Sequence, residues 1–109
     1  MRSTAVQYYL RESDPPIPFE WDPVKAVINL EKHEIDFRAA TRAFVDPNRI
    51  DVDSSRPEHG EERRKVIGMV GEKLAAVIYT RRGRWIRVIS ARKVRSDERR
   101  KYDQGAALS

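Results

Sequence analysis

The chain contains no cysteine. Disulfides, thiolate nucleophiles and thiolate metal sites are therefore excluded by inventory, and any chemistry must use nitrogen and oxygen groups. Histidine is scarce as well: His33 and His59 are far apart among scattered carboxylates, so no ligand spacing for zinc or calcium is present. No metal and no cofactor are expected. Of the five glycines none builds a phosphate cradle, since GEKLAA follows a candidate strand but lacks the GxxxxGKS or GxxxxGKT pattern, which disfavours P-loop nucleotide hydrolysis. No apolar run approaches the ~18 residues that span a bilayer, and Met1–Leu10 lacks the apolar stretch of a secretory leader. The expectation is a cytoplasmic protein with no membrane association.

What is present is charge. Of 109 residues, 36% are charged and 39% hydrophobic, enough for one domain with a modest core under a heavily solvated surface. The net charge of +5 conceals an asymmetry. Residues 1–62 carry 8 Lys/Arg against 13 Asp/Glu, whereas residues 63–101 carry 14 against 3. So basic a half attracts polyanions by neutralising phosphates and releasing counterions, which admits RNA as a ligand; the acidic half suits a basic partner. The plain alternative is a solvated charged surface.

Along the chain, Met1–Pro18 holds Asp14, Pro15, Pro16 and Pro18, which deny helix and ladder hydrogen bonds; it reads as a flexible arm outside the fold. The domain is expected over Phe19–Gln104, with Gly105–Ser109 a frayed tail. Phe19–Trp21 is a short strand ending at Asp22-Pro23, a helix cap followed by a proline suited to the first helical position. A helix to about Lys32 follows, with Val24, Val27 and Ile28 forming a face expected to be buried and Trp21 packing back on the first turn. A second helix starts at Asp36, carries Phe37, Ala40, Thr41 and Phe44 on one face, and ends at Asp46-Pro47. The period then becomes that of strands: a weak one at Arg49–Asp53, a polar loop over Ser54–Glu61, and three longer ones at Arg63–Val70, Leu74–Thr80 and Trp85–Val94. The middle run, LAAVIY, is nearly all apolar and should be central. Ser96 is expected to cap a last helix with Asp97 and Glu98 in its first turn. The fold class is α+β: two N-terminal helices on an antiparallel sheet, closed by a C-terminal helix.

The strands and last helix gather Arg63, Arg64, Lys65, Arg81, Arg82, Arg87, Arg92 and Arg99, with Tyr79, Trp85 and Tyr102 interleaved. Cations bind phosphates and aromatic rings stack bases. Strand alternation places Ile86, Val88, Ser90 and Arg92 on one face and Trp85, Arg87, Ile89 and Ala91 on the other, without telling which face is open. Metal-free RNA cleavage needs a base for the 2′-OH, cations for the phosphate charge and a donor for the 5′-oxygen. His33, Glu62, Glu98, Tyr79 and Tyr102 are the acid and base candidates, and spacing does not select among them. Lys32-His33 at the end of a helix also simply complements the helix dipole.

In order and spacing, FEWDPxKAxxNxxKHxIxF, AxxxFxDP, ExRxxxIGxxxxxLxxVxYTxR and RxISARxxxxxERxxY run from about Phe19 to Tyr102. This arrangement resembles the BrnT family of type II toxins. The resemblance implies a RelE-like ribonuclease fold and metal-independent RNA cleavage that arrests translation. It implies neutralisation by a BrnA-type ribbon-helix-helix antitoxin, two toxins joining an antitoxin dimer that contacts operator DNA and represses the shared operon. Carried onto this chain, it points to Arg63, Arg92, Glu98 and His33 as catalytic and to Lys32, Thr80, Arg81 and Ser90 as substrate-binding, beside Tyr79 and Tyr102 read as stacking residues. Where the family's turn after Lys-His carries Gly, this chain has Glu34, which lacks glycine's easy access to positive φ. The alternative to an enzyme is a non-catalytic module that binds nucleic acid or antitoxin through the same arginines.

Overall fold

A computed structural model describes residues 4–107. Asp22 caps the first helix as its type predicts, its Oδ1 accepting the Val24 N–H at 2.8 Å, with Pro23 in the first turn. That helix, α1, spans Pro23–His33 and ends at Glu34, whose φ of 59° lies in the left-handed region. The Glu34 N–H closes the last turn on the Leu30 carbonyl at 2.9 Å. The turn thus keeps the conformation glycine favours, although a side chain stands there.

The second helix is short. One α turn, α2 (Phe37–Ala40), tightens into a 3-10 helix over Thr41–Val45 before Asp46-Pro47 stops it. Its expected inner face is inner: Phe37, Ala40 and Thr41 are fully buried and Phe44 nearly so. Phe44 stands edge-on to Phe19 and to Tyr79, and Trp21 edge-on to Phe37.

Six strands form one sheet: β1 (Val6–Leu10), β2 (Ile17–Trp21), β3 (Ile50–Asp53), β4 (Arg64–Val70), β5 (Lys73–Arg82) and β6 (Trp85–Lys93), in the order β1-β2-β6-β5-β4-β3. As the apolar run LAAVIY predicts, β5 is interior, with Ala75, Ala76 and Val77 inaccessible. The sheet is mixed rather than antiparallel, because β2 joins β6 in parallel through Phe19–Ile86 and Glu20–Arg87. The expected arm is also partly fold. Met1–Ser3 lie outside the described residues, but β1 pairs antiparallel with β2 and buries Leu10; Pro15 and Pro16 fall in the connection, where no ladder bond is needed. Helix α3 (Ser96–Ala107) continues past Gln104 into the expected tail, and residues 108–109 lie outside the described residues.

The two faces of the sheet carry separate cores. On one, α1, α2 and the 3-10 helix cover Phe19, Val66, Ala75, Val77, Tyr79, Ile86, Val88 and Ala91. On the other, Tyr102 of α3 covers Ile67, Leu74 and Ala76 at the β3–β4–β5 end. Gly68 makes the first packing possible: a Cβ there would lie 2.7 Å from the Ala43 carbonyl oxygen.

One expectation about α1 is reversed. Val24, Val27 and Ile28 are exposed by 64%, 57% and 55%. The helix docks instead through Ala26 and the buried Asn29. Where β2 has left the β6 edge, Asn29 takes a strand's place: its Oδ1 accepts the Ala91 N–H at 3.0 Å and its Nδ2 donates to the Ala91 carbonyl at 2.9 Å. The same Nδ2 donates to the Ile35 carbonyl at 3.0 Å. Buried backbone groups must be paired, and this need fixes the helix's roll more firmly than its apolar stripe does. No helix of the described residues is long and apolar enough to cross a membrane.

Candidate active site

The second sheet face is basic and only partly covered by α3, and a β-bulge decides what lies on it. Ile78 pairs with Ser90 but Tyr79 pairs with Val88, so Ile89 is the extra residue in β6. Before it, Ile86 and Val88 enter the core; after it, Ala91 does. An unbroken alternation would put Arg87 and Arg92 on opposite faces. The bulge resets the period and brings Arg87, Ser90 and Arg92 together opposite the helix layer. Their ladder partners Thr80, Ile78 and Ala76 extend this face across β5, and Lys65, the partner of Ile78, extends it onto β4. Arg63 precedes β4 and belongs to the same face by alternation from Lys65; its Nε is buried without a hydrogen-bond partner.

Glu98 organises one end of this surface. Only 2% exposed, it receives Arg92 in a bidentate pair at 2.8 and 2.9 Å and the Lys65 ammonium at 2.6 Å. It also accepts the Arg95 N–H at 2.8 Å, and Arg99 N–H bonds the Arg95 carbonyl, so Arg95 rather than Ser96 caps α3 and Glu98 is the returning half of a capping box. Burial pushes the Glu98 carboxyl up, but hydrogen bonds from Arg92, the Arg95 N–H and Lys65 outweigh it and hold the group well below the usual carboxylate range. With its lone pairs filled, it positions cations and is unsuited to take a proton. At the other end Arg87 pairs with Glu20 at 2.5 Å.

The sequence candidates separate accordingly. Arg63, Thr80, Ser90, Arg92 and Glu98 are brought to the second face. Thr80 is buried there, its hydroxyl donating to the Glu62 carbonyl at 2.7 Å. Arg81 pairs with the core residue Ile86 and so emerges on the helix side, 6.0 Å from the Tyr79 ring centre. Tyr79 and Tyr102 lie in the two cores, with no ring face open to stack a base. The Tyr79 hydroxyl donates to Asp51 and that of Tyr102 to Asp46 at 2.6 Å. Burial, reinforced by those carboxylates, pushes each phenol up to about 12, which removes both as bases near neutral pH. Asp46 is a joint: it also accepts the Met69 and Asn48 N–H groups, tying α3, β4 and the turn together. Glu62, 74% exposed, lies 3.9 Å from Arg64.

Lys32 and His33, in the last turn of α1, meet this surface at its rim. A depression of about 200 Å³ is lined by Lys25, Ile28, Lys32, His33, Ile89 and Ser90. A neighbouring hollow of about 310 Å³ places Lys32 and His33 beside Lys73 and Lys93. His33 is thus the imidazole adjoining the bulge. Among the described residues no three His, Cys, Asp or Glu side chains gather closely enough to hold a metal ion.

The sequence placed Lys65 and Arg87 in the basic cluster without a role in the site, and did not single out Glu20 or Asn29. The apolar-flanked RRK run and the Asn inside an otherwise regular helix were the available signals for Lys65 and Asn29. For Arg87 and Glu20 the signal is a parallel strand pairing that no local pattern encodes.

Comparison with curated proteins finds no significant match. A family model described as ribonuclease toxin, BrnT, of type II toxin–antitoxin system matches residues 21–98, which include the cap at Asp22, the rim at Lys32-His33, the bulged β6 and Glu98. The chain belongs to the BrnT family of ribonuclease toxins of type II toxin–antitoxin systems.

Proposed function

We propose that the chain is a metal-independent endoribonuclease whose own cations hold the scissile phosphate at the bulge in β6. The observation that carries this reading is the shared face of Arg87, Ser90 and Arg92 next to Lys32 and His33. Arg92 spends three of its five N–H groups on Glu98 and the Lys93 carbonyl, leaving Nε and one Nη2 hydrogen for a phosphate oxygen. Arg87 and Lys65 add charge where the phosphorane develops it. His33 takes the proton of the 2′-OH, the 2′-oxygen bonds to phosphorus, and the bond to the 5′-oxygen breaks with uptake of a proton from water. A 2′,3′-cyclic phosphate and a 5′-hydroxyl remain. An imidazole suits this exchange near neutral pH, whereas Glu98, Tyr79 and Tyr102 are engaged as described.

On the same reading the fold is RelE-like and the cleavage arrests translation in the cytoplasm. A BrnA-type ribbon-helix-helix antitoxin dimer binds two toxins and carries them to operator DNA. One observation favours a non-catalytic phosphate binder instead: the prior engagement of Arg92 by Glu98.

Purified protein with excess chelator is expected to cleave single-stranded RNA to cyclic-phosphate ends. His33→Gln and Arg92→Ala should each lower the rate by roughly 10²-fold or more. Activity that disappears with chelator, or that survives both substitutions undiminished, defeats the assignment. Absence of cleavage with salt-dependent RNA binding retained establishes the binder.

A further inference from the structure

The exposed large aliphatic residues found among the described residues are Val24, Val27, Ile28 and Leu30, all on α1. Val24, Val27 and Ile28 form one stripe at helical spacing, with Leu30 beside Val27. The opposite side of the helix is the one committed to the sheet, through Ala26 and Asn29. Nothing in the core explains this outer stripe, since the cap at Asp22 and the Asn29 bonds already fix the helix in place. A cluster of aliphatic side chains on a chain that is 36% charged marks a protein-binding surface.

We infer that the outer face of α1 is where the antitoxin docks, through an amphipathic helix with acidic residues along its margin, and that docking there closes the RNA site. Charge and continuity identify the occupant. Lys25 and Lys32 run along one margin of the stripe, seven residues apart and so on the same side of the helix. Both also line the depression that holds His33 and Ser90, as does Ile28. A helix laying apolar side chains on Val24, Val27 and Ile28 therefore sets its neighbouring residues over Lys25 and Lys32. Carboxylates at those positions take the cations that RNA phosphate would use. Aliphatic contacts give RNA nothing, and a second copy of this chain would set the same lysines against each other across the contact.

This inference rests on the reading of the chain as a toxin with a protein antitoxin, but its test does not depend on catalysis. The probe is the cognate antitoxin, co-expressed and then titrated against separated toxin. The double substitution Val24→Asp, Val27→Asp places like charge before the acidic margin at positions outside the RNA site. It is expected to keep the melting temperature and RNA cleavage of the parent while weakening antitoxin binding roughly 100-fold and abolishing growth rescue. Lys25→Glu should weaken binding and flatten its salt dependence. Arg92→Ala should lose cleavage yet bind antitoxin as the parent does, so failure of the ribonuclease reading and failure of the docking surface register in different assays. Antitoxin affinity within threefold of the parent in the double variant overturns the inference. So does a toxin dimer that Val27→Asp dissociates while antitoxin binding is unchanged, which assigns the stripe to a second copy.

Discussion

Replacing Glu98 by Gln removes one charge and almost no volume, so it isolates what the carboxylate does. In the folded protein it meets three cationic or N–H donors, while its partners Lys65 and Arg92 are only 13% and 25% exposed. Breaking a buried ion pair from one side costs about 3–5 kcal/mol, because the remaining charge stays desolvated. Two facts reduce this. Arg92 can recover some water, and the Gln carbonyl still accepts from the Arg95 N–H or from Arg92, although its NH2 then faces another donor. The expected loss is about 2–3 kcal/mol at neutral pH, or roughly 10–20 °C in Tm for a domain of this size. The folded carboxyl titrates below the 4.5 it has when free, so its stabilisation is complete above that pH and is lost as pH falls below it. The variant has no such titration. Urea unfolding followed by circular dichroism should show the gap between the two proteins widest at neutral pH and narrowing toward pH of about 3. Asp46 also contributes to acid sensitivity, but equally in both proteins, so it cancels in the difference. A gap below about 0.5 kcal/mol at neutral pH, or one that acid leaves unchanged, would refute the account of Glu98 as the organiser of Lys65 and Arg92.

Two further outcomes follow from backbone geometry. Gly68→Ala places a methyl 2.7 Å from the Ala43 carbonyl oxygen and 3.2 Å from the Ala43 Cβ, neither of which is a flexible side-chain end, and should cost about 1–3 kcal/mol in thermal unfolding; an unchanged Tm means the 3-10 helix can withdraw from β4 freely. Glu34→Gly relieves a side chain at φ 59° and should raise stability by about 0.5–1 kcal/mol, net of the entropy glycine loses on folding. No gain in a denaturant melt would show that the Glu34 side chain offsets its backbone conformation.

The elements were legible where local chemistry alone decides them. Asp22-Pro23 specifies a helix start through one side-chain acceptor and one fixed φ, and Phe37, Ala40 and Phe44 specify a buried face whose one polar member, Thr41, satisfies its hydroxyl within the helix on the Arg38 carbonyl. The same reasoning failed on α1. Its stripe of Val24, Val27 and Ile28 is as regular, but the choice of inner face belongs to Asn29, which satisfies the backbone of Ala91, a residue 62 positions away. Periodicity reports which residues share a face and is silent about which partner that face meets. β1 was hidden for a related reason: Pro15, Pro16 and Pro18 argue against regular structure locally, yet Pro18 sits within β2 and Val6–Leu10 needs only the β2 edge to become a strand.

For the candidate site the decisive step is the single extra residue at Ile89. Period-two reading divides Arg87 from Arg92, and no residue in RVISAR announces that the count changes, because an Ile fits a bulge as well as a ladder. Were Ile89 paired in the ladder instead of bulged out of it, Arg92 would face the helix layer alongside Ile86 and Val88, and Glu98 could not reach it from α3. Leaving one position unpaired therefore brings two arginines of opposite parity onto a shared surface. The same bulge sets Ile89 and Ser90 against the last turn of α1, bringing His33 to the margin of that surface. The bulge is a property of the β5–β6 register, and Asn29, bonded to Ala91 just beyond it, holds α1 against this part of β6. The cations and the imidazole are thus positioned by backbone pairing, which is why composition could suggest a ligand for this chain while leaving the site itself unread.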